Sequence, residues 1–493
     1  MISTGTGWSD GESKPRMPLG RSEPEEDAVM IVRFDDSLVA LARVVAAELG
    51  DDVLHSGVAL RDTAGRLAFF AAKPLELEVV ERVSDSLRLQ LGAYARDDRV
   101  LAGCDDIGAR RVLDDPSSVI VDANGYRIRL LDRRLVGADW LLAPAEPSPP
   151  PPRFVFASIK GGVGRSTALA VAAADLAYRG RRVLVIDLDL EAPGLGPMLL
   201  DDRALPEFGT LDALVENGLS GLDHSFLNDL IAPSALAGGH GRLDVMPALG
   251  RRALAHPSDV LAKIARAYAE DVGPDGQVMS FRGQVVDLIQ RFSDPTKYDA
   301  ILVDARAGLH ESTAASFLGL GAEVLLFGLD EPQTLQGFKA LFAHLACFVN
   351  VDGPSPEWLW RLTIVQGKAP LESERREAFM DRCRDIATEV GLTPRGVAAS
   401  SDPLPAEPFG DVPWDDAISD EQVFADQDKG LVAAVQVLDD QNYRGFDPFT
   451  RRDLLSEKIY SATFGSLLEL IQASLSADTV PSAAHDTESP DAV

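Results

Sequence analysis

The chain has 493 residues, 46% of them hydrophobic and 25% charged, which is globular composition with length for two or three domains. Its charge is lopsided: 47 Lys and Arg against 77 Asp and Glu leave a net −30. Such an excess of acid argues against coating nucleic acid or adsorbing to anionic lipid, and so against direct DNA binding.

Taken in chain order, residues 1–26 are rich in Ser, Gly, Pro and Glu and read as a disordered tail with no apolar leader. Residues 27–143 read as a small α+β domain of unassigned role. Its expected elements are a strand at 29–34, a helix at 37–49, a hairpin at 57–60 and 66–71, and a helix at 75–94. A second hairpin is expected around Asn124-Gly125, the pair that accepts positive φ at both central positions of a type I′ turn. Residues 144–152 contain six prolines in nine positions and predict an extended, stiff linker.

From 153 to 476 strands alternate with helices. Apolar runs at 154–158, 182–188, 243–247, 300–304, 323–329 and 362–366 predict buried parallel strands, with helices at 166–178, 257–270 and 333–348 among them. The fold class is therefore α/β: a doubly wound, mostly parallel sheet with a smaller N-terminal α+β domain. An amphipathic helix at 454–475 carries balanced charge and is expected to dock on its own sheet rather than on a membrane. Residues 477–493 read as a disordered acidic tail. Cys104, Cys347 and Cys383 form no CxxC pair, and no run of 18 apolar residues exists. Both features predict a cytoplasmic protein with no transmembrane segment. The seven histidines show no metal-ligand spacing.

Residues 154–167 run Phe-Val-Phe-Ala-Ser-Ile-Lys-Gly-Gly-Val-Gly-Arg-Ser-Thr. A buried strand passes through glycines into a helix, so backbone N–H groups and the helix N-terminus converge where a phosphate would sit. Against GxxxxGK[ST] the stretch departs twice: Ile159 stands for the first Gly and Arg165 for the Lys. Arginine keeps a permanent charge in a forked geometry suited to phosphate. The phosphate-binding candidates are Lys160, Gly161, Gly162, Val163, Gly164, Arg165, Ser166 and Thr167, with the Ser166 hydroxyl in reach of Mg²⁺.

Two further strands end in acids. Residues 182–194 carry Asp187 and Asp189 on one side of a strand, with Glu191 in reserve; such carboxylates hold Mg²⁺ through water or orient an attacking water. Residues 300–304 form a Walker B strand ending in Asp304, which faces the Mg²⁺ shell. Arg306 follows, either near the γ-phosphate as a charge stabiliser or salt-bridged to Asp189 or Glu191. Gln366, Lys368, Pro413 and Trp414 are candidates for the base, since purine contacts in this fold come from loops after the later strands.

Three motifs in this order resemble the ParA/MinD-type P-loop ATPases over about residues 153–420. Their deviant loop reads KGGxGK[ST]; Lys160, Gly161, Gly162, Gly164 and Ser166 match it, while Arg165 departs and gives a KGGVGR variant. The resemblance implies ATP and Mg²⁺ as cofactors, with Ser166, Asp187 and Asp304 toward the metal and Asp189 positioning the hydrolytic water. It implies a homodimer across the nucleotide, with Lys160 reaching into the partner's site. The expected function is a slowly hydrolysing ATP switch that controls a protein partner through the N-terminal domain, in a bacterial positioning, signalling or defence system. The alternative is a nucleotide-binding assembly platform that Arg165 has cost its hydrolysis.

Overall fold

The computed structural model describes residues 32–134, 136–217, 221–272, 278–350, 353–392 and 435–477. Both expected tails, and the base candidates Pro413 and Trp414, lie outside the described residues. The chain divides into two compact units, residues 1–113 with 122–128, and residues 114–121 with 129–493.

In the smaller unit, helices Phe34–Leu49 and Leu77–Leu91 accompany strands Val58–Arg61 and Leu67–Phe70, which pair antiparallel; Leu101–Ala102 joins the second in parallel. Leu41, Val45, Leu54, Phe69, Val83 and Leu87 are buried. The strand expected at 29–34 is not found in its described part. Phe34 instead opens a helix whose first turn carries Asp35 and Asp36, charges that favour a helix N-terminus. Asn124 and Gly125 have φ of 55° and 89°, as a type I′ turn requires.

The two units divide ahead of the proline stretch. Residues 129–143 belong with the larger unit, whose core takes in Trp140. The stretch 144–152 is held against that unit as a strap: Ala145 N–H donates to the Leu318 carbonyl (2.7 Å) and Ser148 N–H to that of Gly321 (2.8 Å). Gly321 allows the approach, because a Cβ there would run into the Glu146 carbonyl.

The larger unit is built on one sheet. Its strands are β1 (Arg153–Ser158), β2 (Arg182–Asp187), β3 (Ala232–Pro233), β4 (Arg242–Met246), β5 (Ala300–Ala307), β6 (Glu323–Gly328), β7 (Leu362–Ala369) and β8 (Val435–Leu438). The order is β8-β7-β6-β1-β5-β2-β4-β3, all neighbours parallel except the short edge strand β3. Alternate residues feed two cores. Val155, Leu184, Ile301 and Leu326 enter one, and Phe154, Val183, Leu302 and Phe327 the other, so both faces are apolar and both are covered.

The helices that matter for the site are α1 (Arg165–Tyr178) after β1, α2 (Glu311–Gly319) after β5, α3 (Pro332–Ala346) after β6, and α4 (Glu457–Ala477). The helix expected at 257–270 is shorter, a 3₁₀ turn at Pro257–Asp259 followed by Val260–Ala267. As expected, α4 docks on its own sheet: Tyr460, Phe464, Leu467 and Ile471 share a core with α1. Buried Asp175 of α1 ties it down, accepting from Tyr460 Oη (2.5 Å) and Gln472 Nε2 (2.9 Å). Among the described residues, no helix is long and apolar enough to cross a membrane.

Candidate functional site

The glycine loop leaves the carboxyl end of β1, a central strand, and feeds α1. Gly162 and Gly164 take φ of 76° and 92°, left-handed conformations that a side chain strains. Two more glycines let neighbours close on the loop. A Cβ on Gly367 of β7 would run into the Val163 carbonyl, and one on Gly337 of α3 into the Ile159 side chain. The isoleucine that breaks the sequence pattern thus has a packing place of its own.

Arg165 opens α1 with its side chain buried. Nη2 lies 3.0 Å from Asp189 Oδ2, Nε lies 2.5 Å from Asp304 Oδ1, and Nη1 donates to Ser158 Oγ at 3.3 Å. Burial works against its charge, but Asp304 and Asp189 outweigh that and hold its pKa above the ordinary value. Ser166 Oγ donates to the other Asp304 oxygen at 2.7 Å.

The register of β2 and β5 sets Asp187 opposite Asp304. Burial, with the Asp304 charge adding to it, pushes the Asp187 carboxyl up to about 8. Its oxygens accept from the backbone N–H groups of Asp189 (3.0 Å), Leu195 (3.2 Å) and Gly194 (3.3 Å). Arg306 pairs with Glu191: Nη1 donates to Oε1 at 2.9 Å, and Tyr268 Oη donates to the same oxygen at 2.7 Å. Lys160 pairs with Glu331, the residue directly before α3.

Two cavities flank the loop. One, of about 400 Å³, is lined by Ser158, Gly161–Thr167, Asp189, Glu191, Ala192, Arg306 and Ala307. The other, of about 290 Å³, shares Gly162, Val163, Gly164 and Thr167 with it and adds Lys368, the 437–440 and 443–445 segments, Thr463 and Phe464. Of the base candidates, Lys368 lines this second cavity with an exposed side chain at φ 47°. Gln366 is buried in β7 and does not reach its lining.

A magnesium ion suits part of the donor set. Ser166 gives its proton to Asp304 and keeps its oxygen lone pairs for a cation, with Asp304 behind it. Asp187 does not suit a direct ligand role, because its oxygens face three backbone N–H groups and its side chain is fully buried.

Sequence reasoning missed Glu331, Tyr268 and the 437–445 segment. A signal existed for the first alone, since Glu331-Pro332 opens a helix directly after a strand. Tyr268 and 437–445 belong to no motif and are brought in by the fold.

The chain also has counterparts among known proteins. The family described as the CobQ/CobB/MinD/ParA nucleotide binding domain matches residues 154–346. The antiactivator FleN of Pseudomonas aeruginosa is 30% identical over 246 residues, spanning 48% of this chain and 70% of FleN. Among solved structures, MinD of Aquifex aeolicus is 14% identical over 67% of this chain and 98% of its own, with a TM-score of 0.35. A Cyanothece McdA variant in complex with ATP is 13% identical over 68% and 98%, with a TM-score of 0.38. With its glycine loop, its acid-tipped neighbouring strands and a FleN match covering more than two thirds of that relative, the chain belongs to the ParA/MinD-type P-loop ATPase family.

Proposed function

We propose that this chain binds ATP with Mg²⁺ at the 160–167 loop and acts as a slow switch, dimerising around the nucleotide to control a protein partner. One observation carries the reading. The glycine loop, the first residues of α1 and Ser166 line a cavity of about 400 Å³, and a second cavity shares Gly162, Val163, Gly164 and Thr167 with it. The triphosphate takes the first, along with Gly161, Gly162, Val163, Gly164, Arg165 and Thr167. The base takes the second, near Lys368 and Arg444. Ser166 would hold the metal, with Asp304 supporting it, and such an ion would screen phosphate charge. Asp189 orients the attacking water, Arg306 steadies charge on the terminal phosphate, and Lys160 engages the nucleotide of the facing subunit. FleN is described as an antiactivator, which supports a role in restraining a partner, here through the smaller unit. The net charge of −30 favours a protein partner over DNA.

Titration calorimetry with ATP and Mg²⁺ tests the binding; absence of heat at micromolar protein and millimolar nucleotide ends the reading. A second reading, a nucleotide-holding platform without hydrolysis, is favoured by the 3.0 Å contact that occupies Asp189 with Arg165. Phosphate release from the native chain and from Asp189→Ala separates the two. A fall of about 100-fold in the variant supports the switch, and equal rates with nucleotide still bound support the platform.

A further inference from the structure

We propose that the phosphate pocket is neutralised from within at rest, so that nucleotide enters by exchanging its phosphates for carboxylates of this chain, with Glu331 and Glu191 as the displaceable ones. The inference rests on the nucleotide reading and goes beyond it by naming two acids that oppose binding.

The charges around the loop set this up. Arg165 is held by Asp189 and Asp304 and Arg306 by Glu191 within the larger cavity, while Lys160, which precedes the cavity-lining Gly161 and is assigned to the facing subunit's nucleotide, is held by Glu331 outside its lining. Three cations face four carboxylates, a formal sum of −1 before any ligand arrives. A phosphate loop attracts its ligand through cations that are otherwise unanswered, and here each of the three already has an anionic partner.

The pairs differ in how readily they open. The Arg165 cluster is buried, with side-chain exposures of 8%, 10% and 2% for Arg165, Asp189 and Asp304. Opening it strands two acids away from water, which is costly. Glu331 and Glu191 are 44% and 25% exposed, so either side chain can swing into solvent when a phosphate takes its place, Glu191 giving up its Tyr268 hydrogen bond as well. The exchange favours ligands with many charges, because each phosphate oxygen that replaces a carboxylate restores one ion pair. A nucleoside triphosphate meets that requirement better than a monophosphate.

The consequence is contrary to an ordinary supporting role. An acid that only oriented Lys160 or Arg306 would weaken binding when removed, whereas an acid that competes with phosphate strengthens it. The test titrates full-length chain with a fluorescent ATP analogue plus Mg²⁺, comparing native protein with Glu331→Gln and Glu191→Gln. Glu389→Gln serves as a control of equal charge change, since Glu389 pairs with Lys339 on the surface, whereas Glu331 and Glu191 pair with Lys160 and Arg306. Each pocket variant should bind about threefold to tenfold tighter, and the control should shift less than about twofold. Unchanged or weaker binding in both pocket variants, or an equal gain in the control, overturns the proposal while leaving the nucleotide reading intact. Absence of binding in all four proteins overturns the nucleotide reading, and this proposal with it.

Discussion

The two cavities beside the glycine loop are made in different ways. The larger is lined by residues close in sequence, 158 and 161–167, then 189, 191 and 192, then 306 and 307, each group at the end of a central strand. The smaller draws on Lys368, on 437–445 and on Thr463 and Phe464, which come together only because β8 and α4 dock at the sheet's edge. The first is charged and internally paired. The second is mixed, with an Arg444–Asp439 pair at 2.8 Å beside apolar groups. Phosphate recognition is local backbone chemistry written in consecutive residues, while the shape for a base is assembled from distant ones.

The difference predicts that damage at the first cavity reaches the whole fold and damage at the second reaches only the ligand. The largest effect is expected from Arg165→Ala, which leaves Asp189 and Asp304 buried without their counter-charge. It should cost about 3–5 kcal/mol in urea unfolding, with Arg165→Lys recovering part of the loss. A cost under about 1 kcal/mol would break the contrast.

Next in size is a pH effect at Asp187. Its folded pKa of about 8 lies above the ordinary 3.8, so the folded state holds a proton that the unfolded chain releases between those values. Stability therefore falls as pH rises through that window, by on the order of 1 kcal/mol per pH unit from this group, and levels off above about 8. Asp187→Asn should flatten that decline in unfolding curves taken from about pH 5 to 9; an unchanged slope would count against it. The smallest effect is expected at Arg444→Ala. It should weaken a nucleoside triphosphate about threefold to tenfold in competition binding and leave inorganic tripolyphosphate unchanged. Equal weakening of both would mean that the second cavity does not read the base.

Legibility in the sequence follows the same line. The six strands expected from apolar runs are all present within a few residues, because a strand covered on both faces has no polar positions to blur it. The edge strands β3 and β8 were not anticipated. With two and four residues they are too short for a pattern to register. The loop was visible because glycine and arginine are needed where they stand. Lys160, Arg165 and Arg306 were likewise marked out, and so were Asp189, Asp304 and Glu191 among their partners, but Glu331 lies 171 residues from Lys160 and no spacing announces it. The strand expected at 29–34 is absent from its described residues for a related cause, since a short apolar run carries no sign of its period.

The anchoring of residues 137–140 gives the molecule an optical handle. Gly137 and Asp139 donate their backbone N–H groups to Glu311, and the Trp140 indole N–H donates to the His310 carbonyl at 3.2 Å. That carbonyl lies four residues past Arg306, so a ligand that shifts the segment changes the polarity felt by a ring which is only 7% exposed. With the other four tryptophans replaced by phenylalanine, emission from Trp140 would report any such shift without an attached dye.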